Sequence, residues 1–100
     1  WEQVSLKIKL KAGYFKTLSY CLTIGCRKIF LTPYDPDNEE YIIDELELIS
    51  VCIFKKSCQT GEIEIITKKR TYIGNFALQT NLEEVFHSFS KEFGNKFFYQ

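Results

Sequence analysis

Residues 82–93 constrain the fold of this chain more than any other stretch. Leu82, Val85, Phe86, Phe89 and Phe93 recur at helical spacing. At about 100° per residue they cover roughly one third of the helix circumference. Thr80 and Glu83 fit the S/T-x-x-E pattern that caps a helix start. Lys91 stands in the last turn and Gly94 just beyond it, where a helix stop is expected. Such a phenylalanine stripe is too apolar to face water, so it has to cover an apolar surface built by the rest of the chain.

That rest reads as strands. Val4, Leu6, Ile8 and Leu10 alternate with Ser5, Lys7, Lys9 and Lys11, a strand with one wet face. Ala12-Gly13 signals a turn or bulge. Leu18, Tyr20, Leu22 and Ile24 alternate again, and Gly25-Cys26 leaves room only for a tight turn into an antiparallel strand at 27–32. Residues 33–40, with two prolines and several Asp and Asn, form a loop. A short strand at 41–43 and a corner at 44–47 lead to the longest β run, 48–56. After a turn at 57–61, residues 62–68 and 71–76 make a hairpin across Lys69-Arg70. Seven strands thus precede one helix. Phe97, Phe98 and Tyr99 after it either continue the packing or lead toward a neighbouring domain.

One hundred residues make a single domain, 1–100, which must pack densely to be stable. The chain starts at Trp1 and contains no Met, so it reads as a fragment of a longer protein. Thirteen basic and 13 acidic residues balance, which argues against a nucleic-acid partner. No apolar run spans a bilayer and no secretory signal opens the chain, so the expected location is the cytoplasm, including its inner membrane surface. Cys21, Cys26, Cys52 and Cys58 are spaced C-x4-C and C-x5-C, unlike the usual zinc knuckles. They read best as reduced thiols inside apolar patterns, with two disulfides or a metal site as the alternatives.

Nothing in the chain assembles a catalytic set. His87, the single histidine, projects about 140° from Leu82, away from the apolar stripe. No nucleophile elbow, phosphate loop or dinucleotide fingerprint occurs. The acidic run Asp35, Asp37, Glu39 and Glu40 lacks the Gly and terminal Glu of a calcium loop and reads as solvated. No enzyme activity, cofactor or metal is therefore expected.

Two features point to binding. Basic residues cluster at Lys11 and Lys16, at Arg27 and Lys28, and at Lys68, Lys69 and Arg70. If these regions converge, they suit a phosphate or an anionic lipid headgroup. Ordinary charged protection of strand faces and edges is the competing reading. In the 48–56 strand, Leu48, Ser50, Cys52 and Phe54 alternate with Ile49, Val51 and Ile53, so both faces are largely apolar. Something covers the second face: the helix, a neighbouring domain, or a peptide that adds a strand.

The order of seven strands and a capping helix resembles the pleckstrin-homology superfold. Within it, residues 22–51 and 62–86, with Gly74, Phe76, Gln79 and Thr80 leading into the helix, are similar to insulin-receptor-substrate-type phosphotyrosine-binding domains and to the third FERM lobe of talin-like proteins. The resemblance implies a mostly β domain with one C-terminal helix: a seven-stranded, partly open barrel of two antiparallel sheets capped by that helix. It also implies a non-catalytic module that binds an extended peptide beside the fifth strand and against the helix. The groove would be lined by Ile49, Val51, Ile53, Phe86, Phe89 and Phe93. The fifth strand lacks the arginine of phosphotyrosine-binding members, leaving Arg70 with Lys68 or Lys69 as the phosphate reader. The alternative is a phosphoinositide or membrane-surface module using Lys11, Lys16, Arg27, Lys28 and the 68–70 cluster. The expected partner is accordingly a protein or peptide, or an anionic membrane lipid.

Overall fold

The computed structural model of the chain describes residues 4–55, 61–77 and 80–100. Strands β1 (Val4–Lys11), β2 (Thr17–Gly25), β3 (Lys28–Pro33), β4 (Tyr41–Asp44), β5 (Leu48–Lys55), β6 (Gly61–Thr67) and β7 (Thr71–Phe76) come first. Helix α1 (Leu82–Phe93), a short 3-10 turn (Gly94–Lys96) and strand β8 (Phe97–Tyr99) follow.

Among the described residues the eight strands form one mixed sheet, in the order β4-β3-β2-β1-β7-β6-β5-β8. Every neighbouring pair is antiparallel except β5 and β8, which run parallel. The expectation of seven strands in two antiparallel sheets is corrected on both counts. The two halves become a single sheet, which does not close, because β1 pairs with β2 on one side and with β7 on the other. The eighth strand arises because Phe97–Tyr99 lies along the outer edge of β5.

The β1–β7 seam is short: Ile8 faces Phe76, Lys9 faces Asn75 and Leu10 faces Gly74. Gly74 belongs there for a steric reason. A Cβ at this position would stand 3.0 Å from the Lys9 carbonyl oxygen, with Ile8 and Leu10 side-chain carbons at 3.5 Å. Strand β2 turns into β3 through Cys26 and Arg27, both with positive φ. That geometry matches the right-handed twist of a two-residue hairpin.

The inward faces of both halves meet in one core. Ile8, Leu22, Leu31, Val51, Ile53, Ile63 and Ile65 are fully buried in it, and α1 contributes Val85, Phe89 and Phe93. The helix ends where the sequence places it, with Gly94 at φ 53° donating its N–H to the Ser90 carbonyl. Its start shifts by one residue from the expected Thr80 cap. Asn81 is the N-cap, and its side chain accepts from the Glu84 N–H at 3.3 Å. Thr80 instead donates its N–H to the Ala77 carbonyl, and Asn is as good a cap as Thr.

The expected alternation of β5 is broken by a register shift between Leu48 and Ser50. This bulge turns Ile49 outward, 53% exposed, while Leu48, Val51 and Ile53 are buried. Cys21, Cys26 and Cys52 are free thiols; Cys58 lies outside the described residues.

Substitution Gly74→Ala is expected to destabilise the domain by about 1–3 kcal/mol, because the obstructing atom is a backbone oxygen that cannot rotate away. Urea denaturation checks this; an unchanged midpoint would show that the seam has slack.

Candidate functional site

The alternation of strand directions sorts the connections to two ends of the sheet. The β1–β2 loop (12–16), the β3–β4 loop (34–40) and the β6–β7 turn (68–70) share one end; the β2–β3 turn lies at the other. Nine residues of β2 run from the β1–β2 loop to the β2–β3 turn, roughly 27 Å at about 3.4 Å per residue. The short corner at 45–47, by contrast, bonds to both the β2–β3 and the β6–β7 turns, since Glu45 donates its N–H to the Arg27 carbonyl and Lys68 donates to the Glu47 carbonyl.

The basic residues divide accordingly. Lys11, Lys16, Lys68, Lys69 and Arg70 belong to the first end and are exposed. Arg27 and Lys28 belong to the second, where they face carboxylates: Arg27 Nε lies 3.7 Å from Glu45 Oε2, and Lys28 Nζ 3.9 Å from Asp44 Oδ2. The structure therefore keeps Arg27 and Lys28 apart from Lys11 and Lys16, while the β4–β5 corner joins their turn to the one that carries Lys68, Lys69 and Arg70. Among the described residues, the five of the first end form no ion pair within 4.0 Å.

The β1–β2 loop carries a feature that reading the lysines alone missed. Ala12 donates its N–H to the Lys16 carbonyl at 2.9 Å, closing a tight loop, and Gly13 supplies a φ of 90°. At its tip Tyr14 and Phe15 are 99% and 103% exposed. Among the described residues their rings pair only with each other, at 6.3 Å between centroids. Lys11 and Lys16 flank them, and Lys7 and Lys9 continue the positive row along the outer face of β1. Lys7 Nζ sits 5.2 Å above the ring of Tyr34. The sequence signal was present: an apolar pair inside a turn between lysines, where turn chemistry favours polar residues.

Arg70 is held differently. Its guanidinium lies 4.8 Å from the ring centroids of both Tyr41 and Tyr72, and Nη1 donates to Tyr41 Oη at 3.3 Å. Tyr20 stacks on Tyr41 from the other side, and its hydroxyl donates to the Glu39 carbonyl at 2.6 Å. This aromatic cluster ties the β6–β7 turn to the β3–β4 connection. The exposed acidic residues Asp35, Asp37, Glu39 and Glu40 lie on that same connection.

Of the expected peptide-groove residues, Val51, Ile53, Phe89 and Phe93 are buried in the core, Phe86 is half-buried and Ile49 is exposed. Between β5 and α1 lies β8. Val51 pairs with Phe97, Cys52 with Phe98 and Ile53 with Tyr99. Phe97 stacks on Phe89 at 5.7 Å, and the edge of Tyr99 meets Phe86 at 4.2 Å. His87 is exposed, and no group of three or more metal-ligating side chains occurs among the described residues. No helix among them is long and apolar enough to cross a membrane.

Compared with known proteins, the chain matches no family model, and no curated protein matches it significantly. Geometry alone therefore carries the functional reading.

Burial pushes the hydroxyls of Tyr20 and Tyr72 above the ordinary tyrosine range; for Tyr72 the nearby Arg70 charge opposes this in part. The unfolded chain ionises these groups near pH 10 while the folded one resists. Their contribution to stability is thus intact below about pH 10 and is lost as pH rises toward the folded values. A late component of tyrosinate absorbance in an alkaline titration is expected from Tyr20 and Tyr72, in step with falling thermal stability, and is expected to disappear in the variant Tyr20→Phe/Tyr72→Phe. A late component that persists in that variant would contradict the burial of these two hydroxyls.

Proposed function

We propose that the domain is a non-catalytic module that docks on anionic membrane surfaces, dipping the Tyr14–Phe15 tip among the lipids with Lys11 and Lys16 at headgroup level. The observation that carries this reading is the complete exposure of two adjacent aromatic rings at a loop tip flanked by lysines. Scattered exposed apolar residues are ordinary on protein surfaces. Two neighbouring rings that pack on no other described residue mark a surface for a partner outside the fold. Aromatic rings suit the membrane interface, and each nearby lysine adds about 1 kcal/mol on an anionic leaflet.

The architecture fits the same reading. Seven antiparallel neighbours in the order β4-β3-β2-β1-β7-β6-β5, followed by a helix, are compatible with a pleckstrin-homology-like arrangement, a scaffold for surface binding. The acidic 34–40 loop is repelled by an anionic leaflet. The domain therefore tilts about the tip, so that Lys11 and Lys16 reach the lipid first and the 34–40 loop, which meets the lysine row where Lys7 lies over Tyr34, leans away. Strand addition of an outside peptide beside β5 is the less favoured reading, since residues 97–99 already occupy that edge.

Vesicle co-sedimentation at low salt tests the proposal. The wild-type chain is expected to bind phosphatidylcholine vesicles containing about one third phosphatidylserine, and to release them as salt rises past the screening range. The variant Tyr14→Ala/Phe15→Ala is expected to bind at least ten-fold more weakly with unchanged thermal stability. Lys11→Glu/Lys16→Glu is expected to lose binding to anionic vesicles. Adding a few per cent phosphoinositide distinguishes headgroup recognition from general charge. Absence of wild-type binding to any anionic vesicle would sink the reading.

A further inference from the structure

We propose that the open edge of β4 is a docking site for an extended basic polypeptide segment, which joins the sheet with an apolar side chain opposite Ile42 and a lysine or arginine two residues to either side. The site lies at the other end of the strand order from β5 and β8, and it stands independently of the membrane reading.

The backbone carries the first half of the argument. Strand β4 ends the sheet and, among the described residues, pairs with β3 alone. Antiparallel pairs alternate between residues that exchange backbone bonds and residues that do not. Glu45 donates its N–H to the Arg27 carbonyl at 3.1 Å, which fixes the phase of that alternation. By the register, Tyr41 and Ile43 turn their backbone groups toward Leu31 and Ile29 of β3, while Ile42 and Asp44 turn theirs outward. The Ile42 N–H, the Ile42 carbonyl and the Asp44 N–H thus line the edge. The Asp44 carbonyl accepts from the Glu47 N–H at 3.0 Å, so the ladder on offer is short. The strand, Tyr-Ile-Ile-Asp, has no lysine, proline or bulge to blunt it.

Side chains carry the second half and select the occupant. Ile43 is buried, whereas Ile42 points to the outer face and is 55% exposed. Asp44 shares that face, in a loose 3.9 Å pair with Lys28, and the exposed Glu40 stands two residues before Ile42. The edge therefore presents acid, isoleucine and acid at alternate positions. Around it, seven of the 13 acidic residues fall within 35–47, and no Lys or Arg occurs from 29 to 54. Asp35, Asp37, Glu39, Glu40 and Glu47 are exposed and form no ion pair within 4.0 Å among the described residues. Arg70 meets β4 at the Tyr41 ring, on the opposite face from Ile42. Cross-strand neighbours attract when their charges differ and repel when they match. A second copy paired antiparallel about Ile42 would set Glu40 against Asp44 twice, so the edge rejects its own kind. A segment reading basic–any–apolar–any–basic satisfies all three positions, in either strand direction, because the pattern is symmetric. Backbone bonds then hold the segment and alternate side chains select it, which is the chemistry of strand addition.

The test uses the whole chain and a fluorescent heptapeptide, Thr-Lys-Thr-Ile-Thr-Lys-Thr, followed by polarisation at low salt. Wild type is expected to bind this probe and to release it as salt rises. The isomer Lys-Thr-Thr-Ile-Lys-Thr-Thr, whose lysines lie on the other face of the strand from its isoleucine, is expected to bind at least ten-fold more weakly. Ile42→Pro removes an N–H aimed along the edge and spares the β3 ladder, a placement proline tolerates. It is expected to weaken binding at least ten-fold with little change in thermal midpoint. Glu40→Lys is expected to lose binding as strongly, and to regain it for a probe with one lysine replaced by glutamate; this swap decides the matter if the proline variant does not fold. No binding by wild type, equal binding of the isomer, or a folded variant that binds as wild type does overturns the proposal. A wild-type chain that is dimeric at the working concentration and monomeric as Ile42→Pro would give the edge to a second copy, and overturns it too.

Discussion

Three facing residue pairs between β1 and β7 turn two antiparallel halves into one sheet, and the rest of the architecture depends on them. On one side of the seam β1 to β4 form a meander; on the other, β7 to β5 form a second. Neither meander buries its inner face alone. The seam is where their backbones must come close enough to share hydrogen bonds, and Gly74 permits it by removing the one Cβ that would press on the Lys9 carbonyl. Once joined, the sheet coils around a core that remains open on one side. Val85, Phe89 and Phe93 of α1 fill that opening. The helix is therefore less a cap added to a finished barrel than the last layer of a core the sheet cannot complete.

Aromatic residues have two fates here, and the contrast is informative. Tyr20, Tyr41 and Tyr72 form a chain of ring contacts with Arg70 at its edge. Phe86, Phe89, Phe93, Phe97 and Tyr99 form another between the helix and β5. Both clusters satisfy their rings inside the fold. Tyr14 and Phe15 do not, although the same tight loop could be closed by polar turn residues. Their exposure is not required by any packing that the sheet needs, which is why it bears on function rather than on stability.

Much of the fold was legible because periodicity is a strong signal when faces differ. The alternation of β1 and β2 and the stripe of α1 match observed burial nearly residue for residue. Three features were not legible, each for a physical reason. The bulge at Ile49 inserts one residue into β5, and apolar residues on both sides of the strand hide such a shift from any alternation count. The helix cap moved from Thr80 to Asn81 because the two residues compete on nearly equal terms. Strand β8 is too short for periodicity to speak, and its existence depends on an edge that only the tertiary structure creates. For the candidate site, the basic clusters were visible but their grouping was not. Arg27 and Lys28 separate from Lys11 and Lys16 because β2 carries the chain across the domain before they occur.

That separation changes what a net charge of zero means. Charge is balanced over the whole chain, yet it is paired at one end and unpaired at the other. Glu45 and Asp44 approach Arg27 and Lys28 through the corner between β4 and β5, so that end offers little field to a distant anion. At the loop end the lysines of the β1–β2 loop project beside rings that shed water, while the carboxylates of residues 35–40 occupy a separate connection. A neutral protein of this kind is not steered by its total charge. What can orient it is the local placement of its charges, and orientation matters most for a ligand that is a plane rather than a point. In the proposed docking, the pose that presents Tyr14 and Phe15 first lets the apolar gain and the lysine attraction act at the same contact.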